Sequence, residues 1–309
     1  MMAGARAIVI GEALVDVIRD ATGGVRSHPG GSPMNVAVGL ARLGMDTDLV
    51  TQLGDDDNGR MIVEHLRDSA VTLRAGSITV DPTSTATATL DASGAATYVF
   101  DLRWDIALPV VEGADLIHTG SIGSILEPGA ESVRTVFASA DPSTLLSFDP
   151  NIRPAIMGER DEVTRRVEDL AARCHVVKMS DEDAAWLYPN RTLDDIADQY
   201  IAGGTTLFAV TRGARGCLIR TEGVDVRLPA PPVAVVDTVG AGDAFMSGLL
   251  YAIFGSGLTG AVLTGGLDRA DVERIAGIAL RSAAITVARA GANPPRAGEL
   301  DIEPVQDRG

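Results

Sequence analysis

Lysine is nearly absent. Of the 26 basic residues only Lys178 is a lysine. It sits in no GxxxxGK[ST] string, which excludes a P-loop nucleotide site. Cysteine is scarce as well. Cys174 and Cys217 lie far apart with no CxxC spacing, so they read as two buried thiols in a reducing compartment rather than a disulfide framework. The four histidines, His28, His65, His118 and His175, show no ligand spacing with them, which leaves a zinc site without support. Positive charge is also short. Against 42 acidic residues the net charge is −16, which disfavours nucleic acid and anionic membrane as partners. The opening MMAGARAIVIGEALVDVI has neither a cationic n-region nor a cleavage site, so no signal peptide is expected. One long uncharged run exists, Ala244–Leu267. Ten of its 24 residues are Gly, Ser or Thr, and Gly255-Ser256-Gly257 interrupts it. A buried helix, a loop and a second short helix fit it better than a membrane span. These features point to a cytoplasmic protein.

What is present is the composition of a folded domain: 309 residues, 46% hydrophobic and 22% charged. A buried strand is expected at Ala7–Ile10. A second apolar run, Leu14–Ile18, leads into the turn residues Asp20–Gly24, a hairpin signal. A helix is expected over Asn35–Leu43, stopping at Gly44, then a strand over Asp48–Leu53 and a helix over Asn58–Ser69. Thr85, Thr87 and Thr89 alternate with Ala86, Ala88 and Leu90, and Ser93-Gly94 precedes a strand-like Thr97–Phe100. Residues 77–101 therefore read as a lightly apolar β-hairpin standing off the main body. From residue 115 strands alternate with helices. The strands are Asp115–His118, Thr144–Phe148, His175–Met179 and Leu207–Thr211, and Arg160–Ala172 and Leu193–Ala202 are helical. That rhythm predicts a doubly wound, mostly parallel α/β sheet covered on both faces. A hairpin, Gly216–Leu228, and a helix, Asp271–Ala288, complete a single domain over 1–309, with β segments inserted at about 14–30 and 77–104.

Three strings carry chemistry. Asp237-Thr238-Val239-Gly240-Ala241-Gly242-Asp243 runs into an apolar helix. Free N–H groups and the positive dipole end at a helix start hold an anion, and small residues at 240–242 let a phosphate approach the backbone. Asp243 then stands beside the anion, or is only a helix-terminal acid. The GAG string lacks the third glycine of a dinucleotide fingerprint. Gly30-Gly31-Ser32-Pro33-Met34-Asn35 again places paired glycines before a helix. Asn35 suits a sugar hydroxyl, or is an N-cap. Asp16, on a strand between Val15 and Val17, suits two adjacent hydroxyls of a polyol, or faces solvent.

GGSPMNVAVGLARLG and DTVGAGDAF, about two hundred residues apart, resemble the two signature segments of the ribokinase-like (PfkB) carbohydrate kinases. GEALVDV at 11–17 is similar to that family's opening strand, VTRGARG at 210–216 to its TxGxxG segment, and GANP at 291–294 to its nucleotide-side loop. The resemblance covers nearly the whole chain. It implies a doubly wound body with a small β-sheet lid, and transfer of the γ-phosphoryl group of ATP to a sugar hydroxyl with magnesium. By the same resemblance Asp243 is the base and Gly240, Ala241 and Gly242 form the anion hole. The helix N-terminus then does what a P-loop lysine does elsewhere. Asp16, Gly31 and Asn35 match sugar-side positions; Ser180, Thr211, Gly213, Gly216 and Asn293 match ATP-side positions. Backbone carbonyls at Asp237, Val239, Thr286 and Gly291 match a monovalent-cation site. Pro295 stands where a serine often completes it, which leaves potassium open. The family's NxxE motif is replaced by Ser180-Asp181-Glu182-Asp183. Asp183, with Glu182 as substitute, is expected to organise magnesium through water.

FDPNIRP at 148–154 resembles a segment common to fructokinases and 2-keto-3-deoxygluconate kinases. Arg153 there suits a phosphate or carboxylate, and Arg103 and Trp104 are candidates to close over the sugar. With GEALVD, the pattern favours fructose. The alternatives are 2-keto-3-deoxygluconate or another sugar, and, in a different class, a sugar- or nucleotide-binding protein that has lost catalysis. A nucleoside is disfavoured because the lid offers few aromatics. Exposed lid edges suggest a homodimer.

Overall fold

The computed structural model describes residues 4–20, 22–90 and 96–300. A nine-stranded sheet forms the body. In spatial order its strands are Val224–Leu228, Cys217–Thr221, Leu207–Thr211, Val176–Ser180, Leu145–Asp149, Leu116–Gly120, Arg6–Ile10, Asp46–Val50 and Val71–Leu73. The first two form the expected hairpin, and Cys217–Thr221 also runs antiparallel to Leu207–Thr211; the remaining pairings are parallel.

Arg6–Ile10 is an interior strand, third from one edge, and it is apolar on both faces. Ala7, Ile8, Val9 and Ile10 are all fully buried, as a strand covered by helices on both sides requires. Its alternation divides the core. Ala7 and Val9 join the cluster under the helices Ser32–Arg42, Ala241–Gly255 and Arg269–Val287. Ile8 and Ile10 join the cluster under Gly129–Ser139, Arg160–Ala171 and Leu193–Ala202. From Arg6–Ile10 the chain winds outward to Asp46–Val50 and Val71–Leu73. It then crosses back to Leu116–Gly120 and winds the other way. The strand order therefore reverses between Ile10 and Gly120. In α/β sheets the crevice beyond the strands' carboxyl ends at such a reversal is where ligands bind.

A separate four-stranded sheet has the order Val25–Gly30, Leu14–Arg19, Thr85–Leu90, Ala96–Asp101. The two expected hairpins are both present, and they share one sheet because Leu14–Arg19 pairs in parallel with Thr85–Leu90. The Asp20 carboxylate closes the first turn by accepting from the amides of Thr22 and Gly24. The Ser93-Gly94 turn lies outside the described residues.

Some boundaries move for identifiable reasons. The strand expected over Asp48–Leu53 ends at Val50, because the Thr51 amide turns to the Ser77 hydroxyl at 3.2 Å. The short Leu53–Gly54 strand pairs instead with Ile78–Thr79. The helix expected from Asn35 begins at Ser32, with Pro33 in its first turn, where a missing N–H costs nothing. Asn35 is thus inside the helix and is not its N-cap. The uncharged run from Ala244 breaks at its glycines into helices Ala241–Gly255 and Thr259–Thr264. Among the described residues no helix is long and apolar enough to cross a membrane.

Candidate active site

The helix Ala241–Gly255 is apolar nearly all round. Phe245, Met246, Leu249, Leu250 and Ile253 are each at most 1% exposed, and burying each such side chain contributes about 1.5–3 kcal/mol. Packing therefore fixes where its N-terminus stands. Gly240 caps it in the left-handed region (φ 74°), and a Cβ there would meet Ala292 Cβ at 2.6 Å. Only glycine satisfies both conditions. No side chain caps this terminus, so the amides of Gly242 and Asp243 keep their hydrogens free for an anion.

Asp243, 8% exposed, lies one residue beyond the glycines. Its Oδ1 accepts from Ser32 Oγ at 2.7 Å and its Oδ2 from Asn35 Nδ2 at 2.8 Å. The two signature strings, more than two hundred residues apart, thus meet at one carboxylate. Both oxygens accept, the role of an ionised carboxylate, and hydrogen bonds to a charged acceptor are the stronger kind. Asn35 spends its amide on Asp243 and leaves its carbonyl oxygen for another donor. Ser32 was not singled out by the sequence, because its partner is remote along the chain.

Gly31 is fixed by space as well as by conformation. Its φ is 114°, and a Cβ would come within 2.6 Å of the Glu12 carbonyl. Neighbouring Gly30 leaves room for the Asp16 carboxylate, which a Cβ would strike. Asp16 lies on the small sheet opposite His28. Burial pushes its carboxyl up, against the opposing charges of Arg153 and His28. Glu12, 5% exposed, spans the crevice where the strand order reverses. Its Oε2 accepts from the Gly123 amide at 2.8 Å. Burial pushes it up to about 7, opposed by backbone hydrogen bonds from Gly123 and its own amide, by Ser121 and by Arg153. The guanidinium of Arg153 therefore stands near two acids. Its Nη1 donates to the Ile152 carbonyl at 3.0 Å.

On the neighbouring strand ends, Asp149 and Lys178 form a buried ion pair, Nζ to Oδ2 2.8 Å. Burial pushes Asp149 up to about 6 against the pull of Lys178. Burial also acts to lower Lys178, but Asp149, Asp183 and Asp243 together raise it. The pair is ionised at neutral pH. Absence of a P-loop lysine does not mean absence of a lysine here: a Cβ on Gly242 would lie 2.8 Å from Lys178 Nζ. No loop motif marks Lys178, because it lies on the strand Val176–Ser180.

Asp183 has both oxygens engaged. Oδ1 accepts from the Ile152 amide and Oδ2 from the Ser180 amide, each at 2.8 Å. In return Ser180 Oγ accepts from the Asp183 amide at 3.0 Å, so the two form a capping box for helix Asp181–Leu187. Asp183 thereby ties the FDPNIRP loop to the next strand, while Glu182 is exposed. Among the described residues no group of three or more His, Cys, Asp or Glu could hold a metal ion. A cation here would need phosphate oxygens and water to complete its shell.

The other candidates divide. Asp237 accepts from the amides of Val239 at 3.0 Å and Gly291 at 2.9 Å, and these bonds hold its carboxyl below the ordinary range. It so joins the loop carrying Asp237 and Val239 to the one carrying Gly291. The Thr286 carbonyl instead accepts from the Arg289 amide. Gly216 has φ 83° and lies against the Leu228 and Pro229 backbone, and Gly213 has φ 52°; both glycines answer the turn after Thr211. Asn293 Oδ1 accepts from Arg42 at 2.6 Å. Arg103 is not joined to the Asp243 cluster: it pairs with Asp101 at 2.7 Å, with both side chains about half exposed. Trp104 is a packing contact, 4% exposed, with Nε1 donating to the Gly123 carbonyl at 2.8 Å.

The sequence and the fold have known counterparts. The pfkB family carbohydrate kinase profile matches residues 5–297. A fructokinase of Rhizobium leguminosarum bv. trifolii is 34% identical over 256 residues, covering 79% of this chain and 78% of its own. The crystal structure of a fructokinase from Vibrio cholerae, with fructose, ADP and potassium ion bound, superposes with a TM-score of 0.78 at 27% identity, covering 93% of this chain and 94% of its own. An aminoimidazole riboside kinase from Salmonella enterica superposes equally, TM-score 0.78 at 26% identity, over 96% of this chain and 98% of its own. The chain belongs to the pfkB family of carbohydrate kinases, and it is a sugar kinase.

Proposed function

We propose that the protein transfers the γ-phosphoryl group of ATP to a hydroxyl of fructose, with Asp243 as proton acceptor and the Gly240–Asp243 amides as anion hole. The observation that carries this reading is the Asp243 carboxylate, held by Ser32 and Asn35 at an uncapped helix N-terminus. Phosphoryl transfer asks for alignment and charge stabilisation more than covalent help. A sugar hydroxyl set against Asp243 gives its proton to the free lone pairs of that carboxylate. Its oxygen bonds to the γ-phosphorus as the bond to the β-phosphate bridging oxygen breaks. The Gly242 and Asp243 amides face the charge that collects on the transferring group. Thr211, Gly213, Gly216 and Asn293 bound the ATP side in this reading. Ser180, Asp183 and Glu182 bound the magnesium side. The metal, when bound, neutralises and orients the phosphates. Asp237, Val239, Thr286 and Gly291 are the carbonyls for potassium in this reading, Thr286 with one lone pair already taken by the Arg289 amide, and the Asp237 bond to the Gly291 amide supports a joined loop pair there.

The sugar side favours a neutral polyol. The buried acids Asp16 and Glu12 both stand near Arg153, so a substrate carboxylate would bring a third acidic group to this one cation. Fructose is accordingly preferred over 2-keto-3-deoxygluconate. Two free, buried cysteines fit a reducing, cytoplasmic setting.

The test is ADP release with ATP and magnesium, with and without potassium, over fructose, ribose, 2-keto-3-deoxygluconate, adenosine and aminoimidazole riboside. Fructose is expected to give the highest kcat/KM, and Asp243→Asn to keep its fold while losing about 10²- to 10⁴-fold in kcat. A higher kcat/KM for the keto acid would transfer Arg153 to the substrate. Near-full turnover by the Asn variant would remove Asp243 from its role.

A further inference from the structure

The chain uses arginine at every basic position but one, and the exception lies under the candidate anion hole. Lys178 is carried on Val176–Ser180 with its side chain 4% exposed. Its Nζ reaches to where a Gly242 Cβ would stand, at 2.8 Å, so the ammonium abuts the first turn of Ala241–Gly255. Three buried acids, Asp149, Asp183 and Asp243, surround it. A compact ammonium fits beneath a glycine, where a planar guanidinium would need more room.

We propose that Lys178 is the fixed cation of the anion hole, stabilising the charge that develops on the phosphoryl group during transfer. This rests on the reading of Asp243 and the Gly240–Asp243 amides given above. Without Lys178 the site would present three carboxylates and no buried cation to a polyanionic nucleotide. Helix amides supply only partial charges. A full charge in a water-poor setting acts more strongly and needs no reorganisation as the reaction proceeds. The pair with Asp149 keeps the ammonium in place. The competing role is purely architectural: an ion pair that ties strand Leu145–Asp149 to Val176–Ser180.

Two variants separate the roles. Lys178→Met alone leaves Asp149 buried and unpaired, which destabilises under either role. Combined with Asp149→Asn it replaces the ion pair by neutral groups, a change that buried pairs commonly tolerate. The double variant is expected to melt within a few degrees of the parent and to keep KM for sugar and ADP affinity within about threefold. Its kcat should fall by about 10²- to 10³-fold, the scale for losing one preorganised charge-stabilising donor. Binding of ADP with aluminium fluoride and sugar, which mimics the group in flight, should weaken by a similar factor. Recovery of parental kcat in the double variant would overturn the proposal, and so would a double variant that does not fold, since Lys178 would then serve the fold alone. Asp243→Asn, run alongside, keeps the two readings apart. If it stays active, the site assignment fails. If it is dead while the double variant is fully active, only the role of Lys178 fails.

Discussion

At the scale of single residues, the site joins legible signals to illegible partners. Asp243 could be marked because GAGD precedes an apolar run. Nothing local marks Ser32 as its donor, since their bond spans 211 positions and exists only because two helices pack against one sheet. Asp149 and Lys178 are hidden for a related reason: neighbouring parallel strands bring them together, and no spacing rule reports strand register. Glu12 shows the same limit and allows a prediction. Its carboxyl rises from 4.5 to about 7, chiefly through burial. Between those values the folded chain holds a proton that the unfolded chain has released, so stability falls as pH rises through that window. The full effect is at most about 3 kcal/mol. Glu12→Gln keeps an acceptor for the Gly123 amide but does not titrate. Its melting temperature relative to the parent should climb from pH 4.5 to 7 and level off above. Asp149 titrates in both proteins and cancels in the difference. A difference independent of pH would mean that Glu12 is not held protonated by burial.

At the scale of elements, the body was readable because each strand and helix obeys its own period. Ala7–Ile10 is a continuous apolar run and lies in the sheet interior. Thr85–Leu90 alternates and has no fully buried residue, so it belongs to the thin sheet. What could not be read is how the hairpins combine: the parallel pairing of Leu14–Arg19 with Thr85–Leu90 joins segments seventy residues apart. The start of Ala241–Gly255 depends on one glycine with two constraints. Gly240→Ala would place a Cβ 2.6 Å from Ala292 Cβ and force an alanine to φ 74°. A left-handed alanine costs about 1–2 kcal/mol, and the clash must move either the loop at Ala292 or the helix terminus. Since Asp237 fastens that loop through the Gly291 amide, the terminus is expected to yield. The variant should fold with a lowered melting temperature and lose at least tenfold in kcat/KM for ATP, while sugar affinity changes little. Unchanged ATP kinetics would show that these amides do not meet the nucleotide.

At the scale of the whole molecule, the small sheet has two outer strands that each pair on one side only among the described residues. Val25–Gly30 and Ala96–Asp101 are its outer strands, and Val25, Tyr98 and Val99 are 54%, 61% and 62% exposed. Tyr98 stacks on the half-buried Phe100, ring centroids 6.1 Å apart, on that outer strand. An open edge with apolar residues beside it invites pairing with another strand, and a second copy of the same sheet is the partner always at hand. A two-fold pairing is self-complementary, so one substitution acts twice. The charge of −16 per chain opposes association, and salt screens that repulsion. Sedimentation should therefore show a mass near twice 32.1 kDa at physiological ionic strength, with a larger monomer fraction in low salt. Tyr98→Asp adds a charge at the edge and removes the stacked ring, so it should shift the species to monomer with an unchanged melt of the body. A parent protein that sediments as a monomer at every salt concentration would show that the sheet edges stay open in solution.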